Sequence, residues 1–497
     1  MESSLNAPPA ESAASDRRRF RAFIIDRINK VAIPYWADCG DVAVAGNLFS
    51  GRHGRSSIPL TDRHFNWRAP CRFCLGGVML LVWASSGLAQ TAGETEVRAA
   101  LESAATSLLV GKDHEALAAL ATVEQAEPDN PWMLFYKGVA HLHLGNAYES
   151  LTHLDRAQEV LLEMGDPDPE LMDKIRMQRV KARRQVFGLS YQAGWAYDSN
   201  VAYLGSGVTG VDLITGVADW KFGTNFNIHY SPVATEEEAL TASVRIGSSW
   251  YTSVEQFNDQ DYGLSLRYAR KLNDHFDASI QYDYDFTLLG NESFVSDHGL
   301  TSSLSYNWDR SVAAFQPRRT TLYHRIDALD FLFETTRDFD RDGFANAFGI
   351  DQTFQWRPIR DVDWTWDLSG GYRLEFVPTE GSEFDRIVNN WFFGVAMPLP
   401  SLIPDQELIF RFNLHWILAK YQEPSQIDRE GDNRDDVLRI LSWSLSQRIF
   451  DDPQIGQLTV HAIINWTDTK SNVTASDGSH PFTYDKTLYG LQLEWAW

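Results

Sequence analysis

From residue 187 onward the chain alternates between apolar and polar positions. Along 276–286 one set reads Phe276, Ala278, Ile280, Tyr282, Tyr284 and Phe286, and the intervening set reads Asp277, Ser279, Gln281, Asp283 and Asp285. Residues two apart share a face of a strand, so this stretch predicts a strand that is greasy on one side and wet on the other. Segment 362–376 sets Val362, Trp364, Trp366, Leu368, Tyr372, Leu374 and Phe376 against Asp363, Thr365, Asp367, Ser369, Arg373 and Glu375. Segment 441–449 sets Leu441, Trp443, Leu445 and Ile449 against Ser442, Ser444, Ser446 and Arg448. These runs exceed the roughly five or six residues of an ordinary soluble strand. They match the about 9–11 residues that a tilted strand needs to cross hydrocarbon.

The pattern predicts fourteen strands: 187–204, 217–233, 239–257, 261–272, 276–290, 295–309, 318–333, 344–358, 362–377, 390–400, 407–422, 436–450, 457–471 and 484–497. An even count is what a bacterial single-chain barrel requires, and it returns the chain end to the side from which it started. Connectors after odd strands are polar and mostly long, as at 205–216, 334–343, 379–386, 423–435 and 472–483, whereas 273–275 and 359–361 after even strands are short. Long outer loops and short periplasmic turns have that asymmetry. The last strand places Tyr489, Leu491, Leu493, Trp495 and Trp497 on the face toward lipid and Gln492 and Glu494 toward the lumen. An alternating final strand that ends on an aromatic resembles the signal read by the outer-membrane barrel-insertion machinery. A soluble sandwich or propeller would bury the aromatic face against protein and needs no such signal.

Between 93 and 186 the period is helical, with apolar residues three and four apart. Gly111 and Gly145 stand 34 residues apart, which is the tetratricopeptide period, and the same offset aligns Ala104 with Gly138, Ala116 with Ser150, Leu117 with Leu151 and Leu120 with Leu154. Small residues fall where paired helices must approach closely, and leucines fill the seam. Pro128 and Gly165-Asp166-Pro167 stand where such units end. This predicts two repeats and a further helix ending near Arg184; an ordinary helical hairpin is the plainer alternative. Lys137 and His141 depart from the apolar and aromatic residues preferred by the repeat family. His141 and His143, two apart, do not share a helix face and make no metal site. Lys181, Arg183 and Arg184 read as a solvated helix end.

The first ninety residues belong to neither pattern. Arg68 and Arg72 precede the apolar run 75–84 (LGGVMLLVWA), and Gly87-Leu88-Ala89 supplies small residues for cleavage after Ala89. That is a secretory signal peptide over 61–89, too short to span a bilayer as a helix. Residues 1–60 then read as a non-structural leader or as the result of a start placed too far upstream. No later run reaches the length of a transmembrane helix. All three cysteines, Cys39, Cys71 and Cys74, precede the cleavage point, which leaves no thiolate metal site or disulfide afterwards. The formal charge of −23 argues against a nucleic-acid partner. Seventeen Trp and 18 Tyr suit a surface that is apolar at one end and wet at the other.

Candidate chemistry is sparse. Asp338, Asp340 and Asp342 with Gly343 carry the spacing of a calcium loop, but Gly349 stands where the closing glutamate belongs, so a solvated acidic loop competes with a calcium site. A second acidic loop holds Asp428, Glu430, Asp432, Asp435 and Asp436. The lumen candidates Asp277, Asp283, Asp285, Asp363, Asp367, Glu375 and Glu494 outnumber Arg267, Arg373 and Arg448, which predicts a net negative wall unless partners cross the strands. The chain contains no Gly-x-Ser-x-Gly, His-Glu-x-x-His, Walker or dinucleotide motif, and it reads as a non-enzyme without a cofactor, save calcium in that loop.

Taken together, the expected class is α+β and multidomain: a tetratricopeptide-like module over 93–186, then an antiparallel transmembrane barrel over 187–497. A signal peptide, short repeats and a fourteen-stranded barrel with an aromatic end resemble the surface lipoprotein assembly modifier family. Tyr197-Asp198-Ser199-Asn200-Val201 in the first strand and Ser471-Asn472 with Tyr484-Asp485 in the last hairpin also look like its barrel. The resemblance implies an outer-membrane protein of a Gram-negative bacterium whose periplasmic repeats receive a protein or lipoprotein cargo bound for the cell surface. Exporters of cellulose and poly-N-acetylglucosamine also join repeats to a barrel, though with far longer arrays. A passive porin-like channel is the third alternative.

Overall fold

The computed structural model describes residues 92–497 except 166, 203–217, 309–313, 333–338, 359–364, 405, 453 and 454. The expected leader, the signal peptide with its Ala89 cleavage point, Asp338 and Asp363 lie outside the described residues.

Five helices come first: α1 Ala92–Leu109, α2 Asp113–Ala126, α3 Pro131–His143, α4 Ala147–Glu163 and α5 Pro169–Val186. Their ends follow local chemistry. Asn130 accepts hydrogen bonds from the Trp132 and Met133 amides at the start of α3, and Asp168 accepts them from Glu170 and Leu171 at the start of α5; proline fills the first turn of both. Gly111 and Gly145 turn the chain at φ +73° and +81°, a left-handed conformation that costs a side chain dearly and glycine little. Ala104, Ala116, Leu120, Met133, Leu154, Ala157, Leu171 and Ile175 pack fully buried between the helices. No described helix is long and apolar enough to cross a membrane.

Fourteen strands follow: β1 Phe187–Asp198, β2 Asp219–Ala234, β3 Glu238–Tyr251, β4 Asp259–Lys271, β5 Phe276–Leu289, β6 Glu292–Asn307, β7 Phe315–Phe331, β8 Gly343–Trp356, β9 Trp366–Val377, β10 Arg386–Leu399, β11 Leu408–Pro424, β12 Asn433–Asp452, β13 Gly456–Ser471 and β14 Tyr484–Ala496. Each pairs antiparallel with its neighbours in sequence, and β1 pairs with β14 from Ser190↔Ala496 to Asp198↔Leu488, closing the barrel and leaving no free edge. The expected strands all form, with shifted ends. β1 stops at Asp198 rather than 204, and β3 stops at Tyr251, with a short 3-10 turn at Glu255–Phe257 taking up the remainder. Trp497 lies one residue past β14, yet its amide donates to the Leu189 carbonyl at 2.8 Å and its carbonyl accepts from the Leu189 amide at 3.0 Å.

The outward face is apolar. Trp195, Trp220, Leu264, Ile280, Leu322, Phe348, Trp416, Leu491 and Leu493 are all exposed. Aromatic side chains cluster at both ends of this belt. Trp195 meets Phe222 and Tyr197 meets Trp220 at one end; Phe276 meets Tyr306, Phe315 meets Phe354 and Phe187 meets Trp497 at the other. Soluble monomers rarely leave an apolar patch beyond a few hundred Å² uncovered. An apolar band between two aromatic girdles is the outer surface of a barrel in a bilayer.

Candidate functional site

The site is the lumen with its two mouths. Because the pleat alternates, residues between the exposed apolar ones point inward, and the wall they build is polar. Many of its charges are paired, some across strands and some two residues apart on one strand. Arg245 on β3 donates to Asp285 on β5 at 2.7 Å. The intervening strand makes room with Gly263, where a Cβ would stand 2.8 Å from the Asp285 Oδ1 and 3.3 Å from the Arg245 Nε. Arg325 bonds Asp327 at 2.7 Å and lies 3.7 Å from Asp297, Arg373 bonds Glu375 at 2.6 Å, and Arg319 lies 3.9 Å from Asp277. On the last strands Glu494 meets His461 at 2.9 Å. Carboxylates still outnumber arginines among these partners, six to four. Arginines that the short sequence sample left out, Arg245, Arg319 and Arg325, sit inward beside the carboxylates.

At one mouth, loops pack onto the barrel wall. Inward positions near the ends of β8 to β12 lose their polarity: Ala345, Val377, Val388, Ile417, Ala419, Leu438 and Ile440 are buried. Against them pack Phe384 from the β9–β10 loop and Val473 and Phe482 from the β13–β14 loop, with Phe339 and Ile427 at the margin. Two arginines are sandwiched into this cluster. The Arg434 guanidinium lies 3.5 Å from the Phe482 ring centre and 4.4 Å from that of Tyr421, and it is paired with Asp436. Arg341 lies 4.3 Å from the centre of Phe384. Burial, with the Arg386 and Arg434 charges near it, pushes the Arg341 guanidinium down to about 9, so it keeps its charge at neutral pH.

The loops are also tied to each other. Glu380 and Gly381 amides donate to the Asp342 and Asp340 carbonyls at 2.7 and 2.9 Å. Buried Glu383 accepts from the Ser425 hydroxyl at 2.7 Å and the Gln426 amide at 2.9 Å. Asp428 accepts from the Thr474, Glu430 and Asp432 amides, and this ring of donors, Thr474 foremost, holds its carboxyl below the usual carboxylate range. The second acidic loop therefore contributes a tie between neighbouring loops, in addition to solvated charge. The four connectors on this side, β7–β8, β9–β10, β11–β12 and β13–β14, form one linked cap.

The helices sit at the opposite mouth. The Tyr148 hydroxyl donates to the Ser231 carbonyl at 3.0 Å, and the Asn146 side chain accepts from the Glu236 amide at 2.6 Å, both at the β2–β3 turn. Arg184 reaches the Asp452 carbonyl at 3.2 Å and lies 3.8 Å from Asp451 at the β12–β13 turn. Val186 packs with Ala147 and Ala234, and α5 runs into β1 at Phe187 without a linker. The module therefore straddles the β1–β14 seam.

The residues singled out from the sequence fall as follows. Ala104, Ala116 and Ser150 are fully buried between helices, and a Cβ on Gly138 would stand 2.6 Å from Leu154 Cγ. Gly111 and Gly145 occupy equivalent turns. Tyr489, Leu491 and Leu493 face outward and are exposed; the Trp495 indole donates to the Ile455 carbonyl at 2.9 Å. The Asp340 carboxylate accepts from the Asp342 amide, and the Asp342 carboxylate from the Phe331 amide at 2.6 Å. Among the described residues no group of three His, Cys, Asp or Glu side chains is gathered for a metal. Sequence reasoning missed Arg341, Arg434, Tyr421 and Phe482. A signal was present: in β12 the inward positions change from Ser442, Ser444 and Ser446 to Leu438 and Ile440 toward the loop, which breaks the polar lining.

No family model and no curated protein matches the chain. Solved structures do match. The chain is similar to a Pseudomonas aeruginosa FadL homologue, at 12% identity and a TM-score of 0.35 over 62% of this chain and 90% of that one. It is similar to the outer membrane protein opdK from Pseudomonas aeruginosa, at 7% and 0.32 over 63% and 99%. It is similar to CdiB from Acinetobacter baumannii, at 11% and 0.30 over 62% of this chain, which spans 60% of CdiB. At such identity and overlap these likenesses say nothing of cargo or gating, and what the chain does has to be argued from its own residues.

Proposed function

We propose that this protein is an outer-membrane barrel of a Gram-negative bacterium that passes a protein cargo, in the first instance a lipoprotein, from a tetratricopeptide-like periplasmic module to the cell surface. The observation that carries the reading is the exposed apolar belt around a polar, charge-paired lumen, with helices seated on one mouth and linked loops over the other. Only hydrocarbon covers such a belt without a partner chain. The short turns and the helices share one side, which the barrel rule assigns to the periplasm. Stacked helical repeats of this kind build the concave surfaces on which such modules hold peptides. Cargo leaving the lumen would have to displace the loop cap, so passage is gated.

The test is surface exposure of a co-produced lipoprotein on intact cells, measured by added protease, with the full chain and with residues 92–186 deleted. Exposure is expected with the full chain and lost with the deletion. A barrel that fractionates with the outer membrane while both versions leave the lipoprotein inside would refute cargo transfer. The polar wall favours a porin-like channel as the second reading, and steady conductance from both versions would support it.

A further inference from the structure

The helical module carries apolar side chains that no described part of the chain covers. Leu109 is 88% exposed and Val110 65%, both at the turn that joins α1 to α2. We propose that this turn is seated in the periplasmic leaflet of the membrane, so that the module is held by lipid as well as by the barrel. The proposal rests on the reading of the barrel as membrane-spanning.

Position carries the argument. The α1–α2 turn is fastened beside the α3–α4 turn, since His143 Nδ1 lies 2.7 Å from Asp113 Oδ1. The α3–α4 turn is fastened to the barrel through Asn146 and the Glu236 amide, and His114 itself lies 3.4 Å from Glu236. Tyr148 also meets Tyr230, hydroxyl to hydroxyl at 3.5 Å. Tyr230 is an outward, exposed residue at the last turn of the belt on β2. A helix that touches an outward residue at that rim overhangs the barrel wall, and what surrounds the wall there is lipid. The turn tip therefore lies at the level where belt gives way to headgroups.

Continuity with the rim supports the same occupant. Leu272, Leu402 and Ile455, in three short turns on this side, are also exposed. Leu272 follows Lys271, which lies 3.5 Å from the same Glu236. The far end of the module provides an internal comparison. Leu162 is 58% exposed and Met164 63%, at the far end of α4, about 25 Å along the helix from its rim end at 1.5 Å per residue. Exposed apolar side chains at both ends, with only the α1–α2 end tied to the rim by the contacts above, make a controlled pair.

The experiment uses the full chain with Cys39, Cys71 and Cys74 changed to serine, reconstituted in nanodiscs of phosphatidylethanolamine and phosphatidylglycerol. A nitroxide is placed in turn at Leu109→Cys, Val110→Cys, Leu162→Cys and Ile280→Cys, and its collisions with oxygen and with a water-soluble nickel chelate are compared. All four sites are exposed or at a turn, so folding is retained. The expected result is an oxygen-to-nickel ratio severalfold higher at 109 and 110 than at 162, approaching that at 280. A high ratio at 280 with 109 and 110 as wet as 162 overturns this proposal alone. Protection of 109 and 110 from both reagents overturns it in favour of a protein partner. A wet 280 overturns the membrane reading beneath it.

Discussion

Phe482→Ala strikes the loop cap at its most buried contact. The ring is 1% exposed, and the Arg434 guanidinium rests 3.5 Å from its centre. Removing a buried Phe side chain costs about 3–5 kcal/mol, part of it the cation–π contact, worth about 2 kcal/mol when desolvated. Phe482 lies outside the β13–β14 ladder, so this cost falls on loop docking rather than on the barrel. At about 1.4 kcal/mol per tenfold, a loss near 4 kcal/mol raises the undocked population by roughly three decades. Planar-bilayer recording should show opening events at least about 100-fold more frequent than in the unaltered chain, with little change in the barrel's heat-modifiable migration. Phe482→Leu, which keeps apolar volume but loses the ring, should fall between the two. If Phe482→Ala leaves the channel as quiet as before and the barrel as stable, the loop cluster is not what closes the mouth.

Other outcomes follow from the helices and the seam. Gly138→Val should destabilise the helical module by about 1–3 kcal/mol through overpacking, since its Cβ would meet Leu154 Cγ at 2.6 Å and the Ser150 carbonyl at 3.3 Å; the helix signal in thermal melts reads this, and an unchanged melt would be evidence against the close helix pairing. His141 and His153 stack at 5.3 Å, and burial lowers both below their usual value of 6.5, aided by Lys137 and opposed by Glu149. The unfolded chain thus binds more protons near and below pH 6.5, so stability of the module is full above that value and falls as pH drops through it, levelling off below the folded values. Melts across that range test this, and His141→Leu should flatten the slope. Deleting Trp497 removes both backbone bonds to Leu189 and the ring contact with Phe187, and should lower the folded fraction recovered in the outer membrane. A wild-type yield of folded barrel would show that the last residue is dispensable to closure.

Much of this architecture is local, and the sequence alone determined it. Strand period two and helix period 3.6 are properties of the backbone, so Phe276 to Phe286 announced a two-faced strand and Gly111 with Gly145 announced repeated helix turns wherever the rest of the chain went. The strand count, the order of helices before barrel, and the outward set Tyr489, Leu491 and Leu493 were legible for that reason. Only the tertiary structure decided what depends on register. Arg245 finds Asp285 across a glycine on the strand between them, a partnership forty residues apart that the pleat permits but does not specify. The loop cap is less legible still, since Phe482, Phe384 and Arg434 acquire a shared environment only when loops converge at one mouth. Likewise the seating of Tyr148 and Asn146 on the β2–β3 turn was fixed by the linkerless passage from α5 into β1, which sets the module's angle to the rim. Periodicity is written residue by residue along one chain segment; cross-strand pairing, loop convergence and docking angle are set by the closure of the barrel, which no single segment contains.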